Sequence, residues 1–575
     1  MLRVPTKQEE LIPFANDLIA TCRVSVNTRA AYCRLMNAIA ETGRYDGTKS
    51  LINLLYRHLT RTAAHLFSPV ELKFALDFER PKPKRFLEMG QAAAHSLTRA
   101  WERNNTDIQF GRGVFESLKY GACIQKQWVQ MEGEANKEHP VYYSKLVMPW
   151  QFGVYNESEN DISKQTALCE TVTMTKPEIW RRIYHLPAAE KLFERICQHA
   201  KKGDTAGDPQ SFFHQILSTS QIQTGVQQNT RPLPGGIVQL SNDPNYAIMG
   251  PTIGADVVQV HELWVQDDTG DYTTILMVEP DIVIAPLYKK ANLLVANSGL
   301  QPYRLIQSNE VTNWFWGRSE LVDLIEPQAL LSTWLDDLKR LFGMQVDKLL
   351  GFVGETGVID ESYATFRGAG YINLPQGSDI KDITPKIPPE TLPLIKFLIE
   401  SINTLGEFPS IMQGQGEQGV RSMAHASTLL KTASPTLRDR ALLVERQCAI
   451  SADLTLSIME AKEEQFFWTH GGTLEEIENS KFLLADIPED WRTTVDSHSS
   501  SPIFSDENAQ LIMAAFKMQI VDAEYVLDNM PFPNKEYAKV SAKERAEKQQ
   551  QLMAQISKEH PELLPQLLKG KGGKH

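Results

Sequence analysis

The stretch from Gly317 to Gly351, GRSELVDLIEPQALLSTWLDDLKRLFGMQVDKLLG, limits what this chain can fold into more than any other. Ser319 suits a helix cap, and Glu320 suits the positive end of a first turn. Pro327 fits the first turn of a second helix, where its missing N–H has no partner to lose. Beyond Pro327, Gly343 is the one breaker before Gly351, which is expected to close the helix. Leu331, Leu335, Leu338, Phe342 and Leu349 fall at alternating steps of four and three, with Gln345 at one seam position. A period near 3.5 predicts a helix with a narrow apolar seam. Asp336, Asp337, Lys339 and Arg340 lie off it, and Asp336 is placed to pair with Arg340 one turn on. Such a helix spans roughly 36 Å. Taken alone, it reads as a long core helix of a globular protein.

Before it, residues 1–130 read as mainly helical, with Leu51, Leu54, Leu55, His58 and Leu59 at helical spacing and Pro69 ending that element. Gly121 breaks to a strand, ACIQKQWVQ, and further strands are predicted at 141–147 and 167–174. TKPE at 175–178 is a capping box that opens a short helix. Residues 200–254 are rich in Gly, Pro, Asn, Gln and Ser and read as an irregular insertion. Residues 255–266 and 272–278 form a predicted hairpin around DDTGD, with short strands at 282–285 and 293–295. Its first strand mixes polar and apolar residues on both faces, which predicts a sheet covered only in part.

After the long helix comes a Gly- and Pro-rich segment with short β-like pieces. A second helix is predicted over 391–407, seamed at Ile395, Leu398, Ile402 and Leu405. FPSIMQGQGEQGVRS follows, its glycines opposing regular structure. A third helical stretch runs from 422, breaks at Pro435 and continues to 462, seamed at Leu437, Ala441, Val444 and Cys448. The last hundred residues read as short helices, one capped by Ser505 and a polar one over 541–560, with a basic tail.

Composition excludes several function classes. The chain has 575 residues, enough for two to four domains, and a net charge of −12. That opposes a surface wholly devoted to gripping phosphates. The six cysteines form no CxxC pair and read as free thiols. Neither a signal-peptide core nor a membrane-length apolar run is read. No GxxxxGK[ST] is present to cradle a triphosphate. His261-Glu262 is half of a zinc-protease motif, but Val265 holds the place of the second histidine and the segment reads as a strand. Asp, His and Ser around His498 are too close in sequence for a triad, which needs separate elements. Trp314, Phe315 and Trp316 read as an anchor for the helix start ahead of a platform for bases. Neither a catalytic residue, a metal site nor a cofactor is assigned, and an enzyme such as a nuclease or protease would need a clustered site that these residues do not assemble.

The order of elements, with GRSELVDLIEPQALLSTWLDDLKRLFG, FPSIMQG and VRSMAHASTLLKTASPTLRDRALLVERQ, resembles the portal, or head-to-tail connector, proteins of tailed bacteriophages. YGACIQKQW and HELWVQDDTGDY fit the same order. The resemblance spans roughly 45–530 and implies an α+β portal-type fold: wing 1–318, first stem helix 319–350, clip 351–390, second stem helix 391–407, tunnel loop 408–421, long wing helix 422–462 and crown 463–575. It implies a homo-oligomeric ring, usually of twelve subunits, at one capsid vertex of the virion, assembled in the host cytoplasm. Double-stranded DNA would pass through its channel. Terminase, then a head-tail adaptor or tail protein, would dock on it, with major capsid protein and scaffold protein as further partners and no membrane. The implied channel residues are Gln413, Gln415, Glu417, Gln418 and Arg421. The implied clip interface is Glu355, Asp360, Arg367 and Lys381, and the stem seam is Leu331, Leu335, Leu338, Phe342 and Leu349. Another ring-forming or minor structural virion protein is the alternative. An acidic channel would repel phosphates and let DNA slide.

Overall fold

The structure, a computed structural model, describes residues 4–5, 7–44, 50–132, 139–184, 186, 188–202, 256–266, 272–278, 282–284, 301–346, 350–353, 379–382, 386–406, 435–467, 480–488, 490–496, 511–518, 520 and 526. Helices and sheets are mixed, an α+β arrangement as expected.

The N-terminal part is mainly helical, as predicted: α1 (Gln8–Cys22), α2 (Val26–Thr42), α3 (Leu55–Leu66), α4 (Lys84–Arg103) and α5 (Thr106–Tyr120), with one strand, β1 (Phe74–Phe78), ahead of α4. On α3, Leu55, His58, Leu59, Thr62 and Leu66 form one buried stripe, the i, i+3, i+4 pattern of a half-buried helix. Gly121 ends α5 at φ +96 and releases the chain into β2 (Cys123–Glu132). Antiparallel β3 (His139–Val147) follows, then β4 (Phe152–Val154) and β5 (Ala167–Thr175). The TKPE box opens α6 (Lys176–Ile183): Glu178 accepts a hydrogen bond from the Thr175 N–H at 2.7 Å. Next come α7 (Ala189–Gln198), β6 (Lys201–Lys202), the expected hairpin β7 (Asp256–Gln266) and β8 (Tyr272–Val278), β9 (Ile282–Ile284) and β10 (Tyr303–Ile306). Two sheets result, ordered β10-β2-β3 and β4-β5-β7-β8-β9, with β6 against β7.

A 3₁₀ turn (Glu320–Asp323) leads into α8 (Ile325–Val346), which is followed by the antiparallel pair β11 (Leu350–Val353) and β12 (Asp379–Asp382), and by α9 (Thr391–Leu405). The long α10 (Pro435–Ala461) begins at the proline that was expected to interrupt its stretch. Its predicted seam of Leu437, Ala441, Val444 and Cys448 is buried. The chain continues through β13 (Phe466–Phe467), β14 (Lys481–Phe482) and β15 (Trp491–Val495).

Two expectations are corrected, the first in part. Strand β7 is buried on both faces from His261 to Val265, so that stretch of the sheet is covered on both sides, while Thr173 of β5, opposite Gln259, stays exposed. Its odd residues Leu263 and Val265 pack on Leu11, Ala15 and Leu18 of α1, while Trp264 joins the cluster of Ile124 on β2. The polar residues that made both faces look mixed are buried as pairs, His261 against Thr171 at 3.0 Å and Glu262 against cations. Second, the chain after 463 is not helical throughout. Strand β15 pairs in register with β1, Phe74 opposite Val495 and Phe78 opposite Trp491. That pairing joins positions some four hundred residues apart, and a local helical period carries no trace of it. The insertion 200–254 from 203 onward, the strand at 293–295, the helical stretch 422–434, His498, the Ser505 cap and the helix over 541–560 lie outside the described residues.

The two sheets are fastened by buried charge. Glu170 on β5 stands directly opposite Glu262 on β7, a like-charged cross-strand pair that is unfavourable by itself. Lys126, fully buried on β2 of the other sheet, donates to Glu170 at 2.6 Å and to Glu262 at 2.9 Å. Lys145 of β3 and the Tyr303 hydroxyl complete Glu170; Arg182 of α6 and the Trp264 indole complete Glu262. Burial pushes both carboxyls up, but the surrounding cations outweigh it and hold both below the ordinary carboxylate value. Burial also pulls the Lys126 ammonium down, against the two carboxylates that pull it up. Lys126→Met should therefore strand two facing carboxylates and cost about 3–5 kcal/mol, read as a lower urea midpoint. Adding Glu170→Gln and Glu262→Gln to it should restore part of that loss, and a triple variant weaker than the single one would contradict this account.

Candidate functional site

Helices α8 and α9 meet the body at one junction, where Leu331, Leu335, Ile395, Leu398 and Ile402 join the main core. The lead-in to α8 passes over the end of α5 through two glycines. A Cβ on Gly317 (φ +63) would lie 2.6 Å from the Gly121 carbonyl, and one on Gly121 would lie 2.6 Å from the Trp316 carbonyl. Both positions combine positive φ with direct backbone approach, so each requires glycine. Next to them Phe315 and Trp316 are buried, the Arg29 guanidinium lies 3.6 Å over the Trp316 ring, and the indole donates to Glu157 at 2.9 Å. The aromatic cluster thus anchors the helix start, as read from sequence, and Trp314 alone of the three is exposed.

Ser319 caps as predicted: its hydroxyl accepts from the Leu321 N–H and donates to the Leu118 carbonyl, both at 3.2 Å. Pro327 lies in the first turn of α8. The buried Gln328 spans to the segment before α3, donating to the Ile52 carbonyl at 2.8 Å and accepting from the Leu54 N–H at 3.1 Å. Ser332 meets Ser50 at 2.7 Å. Asp336 pairs across to Arg44, which corrects the expected pairing with Arg340; Arg340 instead reaches Asp337 at 3.9 Å. A partner from another element holds Asp336 where a surface i,i+4 pair has little to offer.

Of the predicted seam, Leu331 and Leu335 are buried and Leu338 is packed half-buried against the core, while Phe342 is 51% exposed. Helix α9 packs along α8 through Ile395, Leu398 and Ile402, and its fourth seam residue, Leu405, is exposed. Gly351 does not close α8. It lies in β11 opposite Lys381 of β12, because Leu350–Val353 finds a ladder partner in Asp379–Asp382. Leu349, the clip positions Glu355, Asp360 and Arg367, and the loop residues Gln413, Gln415, Glu417, Gln418 and Arg421 lie outside the described residues.

Sequence reasoning missed the node at this root. Glu320, read as a first-turn acid, has a side chain only 9% exposed and accepts from Arg440 of α10 at 2.9 and 3.1 Å and from Asn309 at 2.8 Å. His58 Nε2 of α3 lies 3.2 Å from its other oxygen. The same imidazole is met by the end of α9: a Cβ on Gly406 would fall 2.6 Å from the ring. One carboxylate therefore ties together α3, the lead-in to α8 and the start of α10, and its histidine partner lies against the end of α9. The available signal was a histidine inside the apolar repeat of α3, where a polar side chain at a core position demands a partner. Among the described residues no three His, Cys, Asp or Glu side chains form a metal-holding group, and no described helix is long and apolar enough to cross a membrane. The described cysteines are free thiols, all buried except Cys197. No known family model matches the chain, and no curated protein matches it.

Burial raises the Glu320 carboxyl, but the His58 contact, the Arg440 charge and the Asn309 bond outweigh it and lower it from 4.5 to about 2. A carboxyl lowered on folding stabilises the native state above its unfolded value and loses that contribution as pH falls through the folded one. The contribution is therefore complete above pH 4.5 and gone near pH 2, worth about 3 kcal/mol. Glu320→Gln should flatten the acid limb of stability across that window in denaturant titrations at successive pH values. An unchanged acid limb would refute the assignment.

Proposed function

We propose that this chain is a portal-type protein: a homo-oligomeric ring, of about twelve copies in the family it resembles, that gives double-stranded DNA a channel at one capsid vertex and offers a dock to terminase and then to an adaptor or tail protein. The observation that carries this reading is the order α8, β11/β12 pair, α9, α10. A helix leaves the body at the Glu320 node, a small β element follows, a second helix packs back along the first to end at the same node, and a long helix then crosses the body. Exposed apolar residues on the two excursion helices, Phe342 on α8 and Leu392 and Phe397 on α9, suit contact between neighbouring copies. A charge of −12 per chain, multiplied around a ring, suits a passage that DNA slides through without sticking. In this reading the chain is not an enzyme. Its partners include major capsid protein and scaffold protein, and it resides in the virion after assembly in the host cytoplasm.

Negative-stain images of the purified protein should contain rings with a central hole. Sedimentation giving monomer and dimer alone, in every salt and with scaffold protein present, would overturn the proposal. Purified protein should hydrolyse neither ATP nor DNA; turnover abolished by one substitution in this chain would end the non-enzyme reading. Deleting residues 413–419 should leave rings intact while packaging or retention of DNA fails. Rings whose deletion variant packages at wild-type yield would favour a structural virion protein without a channel role.

A further inference from the structure

The outer surface of α3 and α5 carries arginines that the fold does not use. Arg57 and Arg112 are exposed and Arg61 is half-exposed. The chain has 71 acidic against 59 basic residues, so carboxylates are in surplus for pairing. Even so, among the described residues no hydrogen bond or ion pair joins Arg57, Arg61 or Arg112 to any carboxylate. Arg57 and Arg61 stand one helical turn apart, an arrangement of like charges that disfavours an isolated helix. Burial and the neighbouring Arg57 charge both lower the Arg61 value. The buried stripe of α3 takes up Leu55, His58, Leu59, Thr62 and Leu66, so the arginines contribute to no core.

Arg112 is exposed on the neighbouring helix α5. Helices α3 and α5 pack together, and two ring contacts bracket it: Tyr56 with Phe115 at 6.0 Å and Phe67 with Phe110 at 5.0 Å. Arg112 and Phe115 also line a groove of about 390 Å³ between α5 and β3, together with Ser144 and Lys145. Lys145 is committed to Glu170 at 2.6 Å, and the acid in the groove, Glu116, is held by Lys119 at 2.9 Å. Among the described residues lining the groove, Arg112 is thus the cation with no carboxylate partner.

We propose that the outer faces of α3 and α5 are a docking surface for the phosphate backbone of a nucleic-acid duplex, gripped by Arg57, Arg61 and Arg112. All three cations are guanidiniums, whose planar forks match phosphate oxygens. The open face of α3 offers Arg57, Thr60 and Ala64 and no row of large apolar side chains, so it lacks what a membrane-surface helix inserts. This surface would serve whether or not the chain forms a ring.

The test is binding of a short labelled DNA duplex to the full-length chain between 50 and 200 mM salt, with oligomeric state measured on the same samples. Replacing all three arginines by glutamine should remove about 2.7 from the slope of log affinity against log salt, which corresponds to about a 40-fold salt effect over that range. Replacing them by lysine should keep the slope, because charge is retained, and melting temperatures should match the wild type in both variants. Equal slopes for the wild type and the glutamine variant overturn the proposal, as does no measurable binding of the wild type at 50 mM salt. Preference for phosphatidylserine vesicles over duplex would overturn it too. Loss of self-association with duplex binding unchanged would make this face a contact between copies and would also refute it, without bearing on the ring itself.

Discussion

Two carboxylates that would repel each other are held face to face by one lysine, and much of the body follows from that arrangement. Glu170 and Glu262 belong to the five-strand path of one sheet; Lys126 belongs to the central strand of the other. With the lysine absent, register between β5 and β7 would place like charges opposite each other in a dry interior. With it present, every carboxylate oxygen has a donor. A network satisfied in this way disfavours any relative placement of the two sheets except one, since each alternative leaves a buried charge unpaired.

The same strand, β2, seats the long helix. Successive residues of a strand point to opposite faces. Lys126 turns to the neighbouring sheet, and Gln125 and Gln127 turn to α10. Gln127 donates to the Ser451 hydroxyl at 2.6 Å and accepts from Thr455 at 2.6 Å, while Trp101 of α4 donates to Thr455 at 3.0 Å. Apolar contact supplies most of the burial along α10, but these buried amides and hydroxyls decide its rotation and height. Immediately before β2, Gly121 crosses Gly317 and so sets where the lead-in to α8 leaves the body. The Glu320 node then gathers the ends of α8, α9 and α10 within reach of that crossing. Position is passed from a buried lysine to the root of the excursion through a few backbone turns and satisfied polar groups.

That path gives the proposed function its mechanical sense. A helix pair that must hold its neighbours in a ring needs a firm root and an apolar outer face. Here the root is polar and saturated, while Phe342, Leu392 and Phe397 remain outside. Direct hydrogen bonds at the root set geometry; exposed apolar area at the periphery is what a neighbouring copy would bury.

Local rules were sufficient for much of this chain. The apolar period marked α3, α8, α9 and α10; the capping box marked α6; Pro435 and Gly121 marked boundaries. Each depends on dihedral preference or on side-chain spacing within a few residues, and both are written in the sequence. Other features depend on partners distant in the chain. Asp336 meets Arg44 and not Arg340, Gly351 enters a ladder instead of closing a helix, and β15 returns to β1. Glu262, which resembled a stray fragment of a zinc motif, is a structural counter-ion for Lys126 and Arg182. For Glu320 the sequence by itself determined a helix start, through the affinity of an acid for the positive end of a helix. Tertiary structure alone decided that this acid would be buried against His58, Asn309 and Arg440, because pairing a desolvated charge requires groups from elements that only folding brings together.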